Sequence, residues 1–150
     1  MANSRIITVF LVDDNALYLK NLEISFMSKP YYNVETFPTG ERCIAALSHN
    51  PDIIILDYHL NEVVPEAKNG LETLIEIRKV NPTVPIVVLS ADESPDVANN
   101  CMEHEAVEFI IKDDISFAKL REVITNVFLD KQEKENLISH LKRVINNSAR

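Results

Sequence analysis

Short runs of aliphatic and β-branched residues alternate along the chain with longer segments in which hydrophobic side chains recur every three or four positions. The short runs predict five β-strands, at residues 6–12, 33–37, 52–57, 84–90 and 107–112. The longer segments predict helices at residues 16–28, 40–49, 70–80 and 95–105, and a long last helix from residue 116. Strands that alternate with helices in this way are typical of a parallel sheet with crossover helices. The pattern therefore predicts an α/β fold.

Three of these strands are almost continuously apolar, as expected of strands covered on both faces. Polar residues stand at the carboxyl ends of the strands. They are Asp13 and Asp14 after the first strand, Asp57 at the end of the third, Ser90 at the end of the fourth and Lys112 at the end of the fifth. Ligands of open parallel sheets bind outside the carboxyl ends of the strands. These residues are therefore the candidate site.

Three carboxylates at one edge of a sheet would repel one another, since two unit charges about 4 Å apart cost roughly 4 kcal/mol at an effective dielectric near 20. Lys112 supplies one compensating charge. Mg²⁺ would supply two more, because it is bound by one or two carboxylates and shares its coordination with phosphate oxygens. With both present, a carboxylate can act as a nucleophile toward phosphorus. Asp57, which ends the most apolar strand, is the candidate nucleophile.

Over about residues 5–130, these residues resemble the response regulator receiver domain of two-component signalling. The matching positions are Asp13 and Asp14 for the acidic pair, Asp57 for the phosphoacceptor, Ser90 for the switch serine or threonine, Phe109 for the switch aromatic and Lys112 for the invariant lysine. The resemblance implies a doubly wound, flavodoxin-like parallel sheet of five strands in the order 2-1-3-4-5. Here the last helix extends it.

The resemblance also implies a ligand set and partners. Asp14, Asp57 and the backbone carbonyl of His59 would contact Mg²⁺ directly, and Asp13 would reach it through water. A histidine kinase or phosphotransfer protein would donate the phosphoryl group to Asp57, and hydrolysis would later remove it. Phosphorylation would then change the surface offered to a downstream protein, whose identity the sequence does not give. The chain would thus be a signalling module and not an enzyme.

Two segments depart from the family pattern. After Asp57 the family has Met and Pro in a compact loop, whereas this chain has Leu60 and Asn61 and several additional residues, so that residues 61–69 form an insert. We expect the insert to alter access for partners or donors, and not the chemistry of the site. Lys112 is followed by Asp113, at a position where the family has a cis proline. Because a cis bond before another residue costs about 3 kcal/mol, we expect a trans peptide there.

Each site residue also has a purely structural interpretation. Asp13 and Asp14 could cap the helix that follows them, and Ser90 could cap the segment after its strand. Phe109 could be an ordinary core residue, since aromatic side chains in strands are commonly buried. Lys112 could be a solvated strand end. His59 could tune hydrolysis of the phosphorylated state or be an ordinary loop histidine.

The amino-acid composition limits the classes of molecule that the chain could bind. The net charge of −8 argues against binding to nucleic acid, whose affinity for proteins comes largely from clustered lysine and arginine. No apolar run is long enough to cross a bilayer, and the N-terminal run lacks the features of a signal peptide, so we expect a cytoplasmic protein without membrane contact. The two cysteines, Cys43 and Cys101, fall in predicted helices and are expected to be buried thiols.

The last helix extends beyond the repeat of strands and helices. We divide the chain into a receiver domain, residues 1–130, and a helical extension, residues 131–150, and expect no separate output domain. Leu137, Leu141 and Val144 could line one face of the extension. That face fits a homodimer, but fewer than three heptads do not distinguish it from an amphipathic helix docked on the domain.

Three other functions fit the same fold class. A receiver-like module could bind partners without being phosphorylated. A phosphohydrolase of the haloacid dehalogenase type also forms an aspartyl phosphate, but it needs a second acid two positions after the nucleophile, where this chain has His59. A nucleotide or flavin module needs a glycine loop after the first strand, and the only glycines are Gly40 and Gly70.

Overall fold

The computed structural model describes residues 5–148, except for the side chains of residues 129–134 and 137. The strands are β1 (Ile7–Val12), β2 (Tyr32–Phe37), β3 (Ile53–Asp57), β4 (Ile86–Ser90) and β5 (Glu108–Ile111). The helices are α1 (Ala16–Met27), α2 (Gly40–Ala45), α3 (Gly70–Val80), α4 (Pro95–Glu103) and α5 (Ser116–Ser148). Each of these elements was predicted, and most ends lie within two residues of the expected positions.

All five strands belong to one parallel sheet, in the order β2-β1-β3-β4-β5. The doubly wound order predicted for the chain is therefore confirmed. Strand order reverses between β1 and β3, which pair in the register Val12 to Leu56. This reversal is the position at which open α/β sheets bind ligands, because the two loops that leave the neighbouring strands diverge to opposite faces.

The core lies on the central strands of the sheet. Every residue of β3 and of β4 is buried, as are the last four residues of β1. Burial on both faces explains the continuous apolar runs of these strands. Cys43 and Cys101 are buried free thiols, as expected, and burial raises their pKa to about 12 and about 11.

The helix predicted over residues 40–49 is shorter than expected. α2 ends at Ala45, and a 3₁₀ turn follows over Leu47–His49. Asn50 then adopts a left-handed backbone conformation, with φ of 56°. The next residue is Pro51, which disfavours the helical conformation in the residue before it, so the helix cannot continue in regular form.

α3 begins at the predicted residue, where the structure shows a capping box. The side chain of Asn69 accepts a hydrogen bond from the backbone N–H of Glu72, and the Glu72 carboxylate accepts one from the N–H of Asn69. This reciprocal pair satisfies two N–H groups that the helix leaves free. It fixes the point at which the insert ends.

The chain divides into two compact units, Met1–Phe117 and Ala118–Arg150. The first contains the sheet, and the second is the helix beyond the start of α5. In the outer part of α5, Ile138, Leu141, Val144 and Ile145 are exposed, whereas the side chain of Leu137 lies outside the described residues. Among the described residues, no helix is both long and apolar enough to cross a membrane.

Candidate functional site

The ends of β1 and β3 bring three carboxylates together. Because these strands are neighbours in the sheet, Asp13 and Asp14, which follow β1, lie beside Asp57 at the end of β3. One oxygen from each of the three carboxylates lies within 4.8 Å of the others. Asp13 and Asp57 are almost fully buried, and Asp14 is partly exposed. The predicted acidic cluster is therefore present.

Lys112 reaches this cluster from directly after β5. Its backbone N–H donates to the carbonyl of Ser90 at 2.7 Å, which aligns the ends of β4 and β5. Its ammonium group donates to Oδ2 of Asp13 at 2.8 Å and lies 3.0 Å from Oδ1 of Asp57. Burial lowers the pKa of Lys112, but the hydrogen bond to Asp13 and the two negative charges outweigh this and raise it. The lysine therefore remains charged.

The environment of Asp57 raises the pKa of its carboxyl group. Burial and then the charge of Asp13 raise its pKa to about 7, while Lys112 and a hydrogen bond from the His59 backbone act in the opposite direction. Oδ1 of Asp57 is buried, and the ammonium group of Lys112 lies 3.0 Å from it as its charged partner. One lysine does not compensate three carboxylates, so the cluster is suited to bind a further cation.

Asp13 and Asp14 are held differently although they are adjacent. Asp13 accepts from the ammonium of Lys112 on one oxygen and from the backbone N–H of Asn15 on the other, at 2.8 Å each. Asp14 accepts from the insert after β3. Neither aspartate caps α1, because the cap is Asn15, whose side chain accepts from the N–H of Tyr18. The capping interpretation of the two acids is therefore wrong.

The main chain after Asp57 is fixed by a close approach of Gly70. The N–H of Gly70 donates to the carbonyl of Tyr58 at 2.7 Å. A Cβ atom at position 70 would lie 2.4 Å from Cα of Tyr58 and 2.5 Å from the carbonyl oxygen of Asp57. Only glycine fits this position. The residue that follows the insert therefore packs directly against the backbone of Asp57 and Tyr58.

The two predicted switch residues lie on neighbouring strands. Ser90 ends β4 and is fully buried, and its hydroxyl oxygen accepts from the N–H of Asp92 at 3.0 Å. This contact forms a turn after β4, whereas the N-cap residue of α4 is Ser94. Phe109, on β5, is partly buried and packs against the core. The cis proline of the family is absent, and the peptide between Lys112 and Asp113 is trans, as predicted.

Sequence reasoning missed Tyr18. The ammonium group of Lys112 lies 4.2 Å from the centre of the Tyr18 ring, within the range of a cation–π interaction. The ring of Tyr18 also meets the ring of Phe117 edge-on, with the two ring centres 5.7 Å apart. Burial raises the pKa of Tyr18. An aromatic residue in the first turn after the acidic pair was the available signal, but nothing in the sequence placed it near the lysine.

The sequence of residues 9–125 matches the family described as the response regulator receiver domain. The chain belongs to that family. Receiver domains bind Mg²⁺ in an acidic pocket and interact with histidine kinases or phosphotransfer proteins, so membership places the chain in two-component phosphorelay signalling. The predicted resemblance is thereby confirmed.

Curated relatives of this receiver domain are longer proteins. The luminescence regulatory protein LuxO of Vibrio campbellii is 31% identical over 103 residues, which are 68% of this chain and 21% of LuxO. The protein-glutamate methylesterase/protein-glutamine glutaminase of Treponema denticola is 34% identical over 111 residues, which are 71% of this chain and 28% of that protein. The matched part of the chain spans about a fifth of the first relative and just over a quarter of the second. Receiver domains are in general signalling modules, but the second relative carries the name of an enzyme.

Solved receiver structures share the fold. CheY of Borrelia burgdorferi, in a complex with CheX, BeF₃ and Mg²⁺, aligns with a TM-score of 0.71 at 25% identity, over 81% of this chain and 89% of that one. The signal receiver domain of a LuxO repressor protein from Vibrio parahaemolyticus aligns with a TM-score of 0.72 at 23% identity, over 89% of this chain and 97% of that one. Both support the sheet order described above.

Proposed function

We propose that this receiver domain accepts a phosphoryl group on Asp57 from a histidine kinase or a phosphotransfer protein. The observation that carries the proposal is the environment of Asp57, a buried carboxylate beside Asp13 and Asp14 with the ammonium of Lys112 3.0 Å from its Oδ1. Asp57 at a pKa of about 7 would be partly protonated at neutral pH. Positive charge at the site therefore favours the ionised form, which is the nucleophile.

In the transfer, an oxygen of Asp57 forms a bond to phosphorus as the bond between phosphorus and the donor nitrogen breaks. The nitrogen leaves with the electron pair and takes up a proton. Lys112 faces Asp57 and would neutralise charge that develops on the transferred oxygens. Its hydrogen bond to Asp13 and the ring of Tyr18 hold the ammonium group in place.

The metal ligands belong to the same proposal. Asp14, Asp57 and the backbone carbonyl of His59 would hold Mg²⁺ directly, with Asp13 acting through water. The residues fit such an ion, because one oxygen from each of the three carboxylates lies within 4.8 Å of the others and a single lysine does not compensate their charge. When bound, Mg²⁺ would neutralise negative charge on the carboxylates and on the incoming phosphoryl group.

The output would be a change of surface. We propose that Ser90 exchanges its contact with the N–H of Asp92 for a contact with the phosphoryl group, and that Phe109 moves with it. The full burial of Ser90 supports this. Its hydroxyl group is held at the carboxyl end of β4, so it can change hydrogen-bond partner only there. A protein partner, not nucleic acid or membrane, would read the new surface. The cytoplasmic location expected from the sequence is part of the same proposal.

We propose residues 1–130 as the signalling domain and residues 131–150 as a helical extension that forms a homodimer. The exposure of Ile138, Leu141, Val144 and Ile145 supports the second part, because these residues follow helical spacing and offer an apolar face. Light scattering of the purified chain, with and without phosphorylation, would give the mass. A monomer in both states would contradict the dimer.

The test of the acceptor is an intact mass measurement after incubation with a small-molecule phosphodonor, with Mg²⁺ and with EDTA. We expect one phosphoryl adduct that requires Mg²⁺ and is lost in Asp57→Asn. Asp96→Asn, which removes an exposed carboxylate from the first turn of α4, is the matched control and should be labelled like the wild-type protein. Equal labelling of Asp57→Asn would contradict the assignment. No adduct under any condition would favour a module that binds partners without phosphorylation.

A further inference from the structure

The insert, residues 61–69, is hydrogen-bonded to the acidic cluster. The backbone N–H groups of Glu62 and Val63 donate to Oδ2 of Asp14, at 3.0 and 3.1 Å. These bonds join residues 48 and 49 positions apart in the sequence. They are made by the main chain, so they depend on the path of the insert and not on its side chains.

Both hydrogen bonds are accepted by the same oxygen of the Asp14 carboxylate, Oδ2, and neither is accepted by Oδ1. Each carboxylate oxygen has about two sites for accepting hydrogen bonds, so Oδ2 of Asp14 is filled. Within the described part of the chain, Oδ1 accepts no hydrogen bond. A carboxylate held through one oxygen can offer the other to a cation without rotating.

The insert has a fixed base from which to donate these bonds. Leu60, just before it, is fully buried, and Ala67 near its end is also buried. The N–H of Ala67 donates to the carbonyl of Val64 at 3.0 Å, and the N–H of Lys68 donates to the carboxylate of Glu41 at 2.9 Å. These contacts limit the positions that the two donor groups can take.

We propose that the backbone N–H groups of Glu62 and Val63 position Asp14 as a metal ligand through Oδ1. The insert is then a structural part of the metal site. This proposal rests on the proposed role of Asp14 in binding Mg²⁺. Hydrogen bonds that orient a ligating carboxylate typically change metal affinity about 10- to 100-fold when they are lost. Metal binding should in turn stabilise the insert, because the coupling between two sites is reciprocal.

The first experiment follows amide hydrogen exchange at Glu62 and Val63 in the wild-type protein, by NMR, as Mg²⁺ is added. Positioning predicts that exchange of both amides slows severalfold when Mg²⁺ binds, because Asp14 is then held in one orientation. Exchange that becomes faster would mean that the metal takes Oδ2 and displaces the insert. That result, or no change while Mg²⁺ binds, would overturn the proposal.

The second experiment compares two substitutions at one position. Val63→Pro removes the N–H group, and Val63→Ala keeps it while removing most of the side chain. We expect Val63→Pro to weaken Mg²⁺ binding about 10-fold in isothermal titration calorimetry, and Val63→Ala to change it less than about twofold. Unfolding curves establish that both variants are folded. Equal affinities in the two variants would contradict the positioning role.

A third pair of variants avoids proline altogether. Asparagine at position 14 still offers an oxygen to the two N–H groups, whereas alanine offers none. Without metal, exchange at Glu62 and Val63 should stay slow in Asp14→Asn and become fast in Asp14→Ala.

If wild-type protein binds no Mg²⁺, the proposed metal site itself is wrong. If it binds Mg²⁺ and the variants at position 63 do not differ, only the role of the insert is wrong.

Discussion

The strand ends and the insert each hold a carboxylate of the cluster, but with different groups. At the strand ends, Asp13 is paired with the side chain of Lys112, and both are largely removed from water. In the insert, Asp14 is held by two backbone N–H groups in a partly exposed setting. The first arrangement depends on which side chains are present, and the second depends on the path of the main chain. Substitutions should therefore affect the two regions by different rules.

The strongest test of this difference is the removal of the charge of Lys112. Lys112→Met keeps the length of the side chain but leaves Asp13 and Asp57 without a counter-ion. Because breaking a buried pair leaves an uncompensated charge, we expect a loss of about 3–5 kcal/mol in the free energy of unfolding at pH 8 without metal. Urea denaturation measures it, and Mg²⁺ should recover part of the loss.

Lys79→Met is the matched control for this experiment. Lys79 pairs with Glu76 on the surface of α3, with both side chains exposed, and such pairs contribute little. The control should unfold like the wild-type protein. If Lys112→Met were also as stable as wild type at pH 8, the charges at the strand ends would not be coupled as described.

The next largest effect is a pH dependence that belongs to Asp57. Its pKa is about 7 in the folded protein against an ordinary value of 3.8, so the folded state holds this proton more tightly than the unfolded state. Folding stability should therefore fall as pH rises from about 4 to about 7, by an amount on the order of a few kcal/mol. Asp57→Asn removes this titration.

The measurement is the difference in free energy of unfolding between Asp57→Asn and wild type, from urea curves at pH 4.5 to 8 in EDTA. The variant should gain stability relative to wild type across this range. Asp96→Asn, which changes an exposed carboxylate, is the control variant. A difference that does not vary with pH would show that burial and Asp13 do not raise the pKa of Asp57.

The smallest of the three effects concerns the base of the insert. Gly70→Ala would place a Cβ atom 2.4 Å from Cα of Tyr58, and main-chain atoms cannot move aside as a side chain can. We expect a loss of about 1–3 kcal/mol, as for other overpacked sites, together with weaker Mg²⁺ binding because the backbone at Asp57 must shift. Glu66→Ala, at an exposed position of the insert, serves as the control. A stable Gly70→Ala variant with normal affinity would show that the insert is not fixed to β3.

The fold was predictable because each element carries a local signal. β3 and β4 are short apolar runs of the kind that only a strand covered on both faces requires, and α3 has its capping box in the sequence. The exception, α2, ends early at a place where Pro51 acts on the residue before it. The strand order came from the resemblance, since periodicity does not specify which strands are neighbours.

The site was predictable only as far as strand ends determine it. Asp13, Asp57 and Lys112 were placed together because the carboxyl ends of parallel strands meet at one edge. The bonds from the insert to Asp14 were not foreseen, because they are made by backbone groups that every residue has. The same holds for Tyr18, whose contact with Lys112 depends on how α1 packs. Contacts that depend on tertiary geometry leave no pattern in one sequence.

The hydrogen bond between Lys112 and Asp13 joins residues 99 positions apart, and this has a consequence for the order of folding during synthesis. Contacts between residues far apart in the chain form late, since the loop between them must close first. A nascent chain that has not yet exposed β5 to solvent has its acidic pair and Asp57 but lacks the lysine. Such a chain cannot form the buried ion pair, which arises only once nearly the whole domain has left the ribosome.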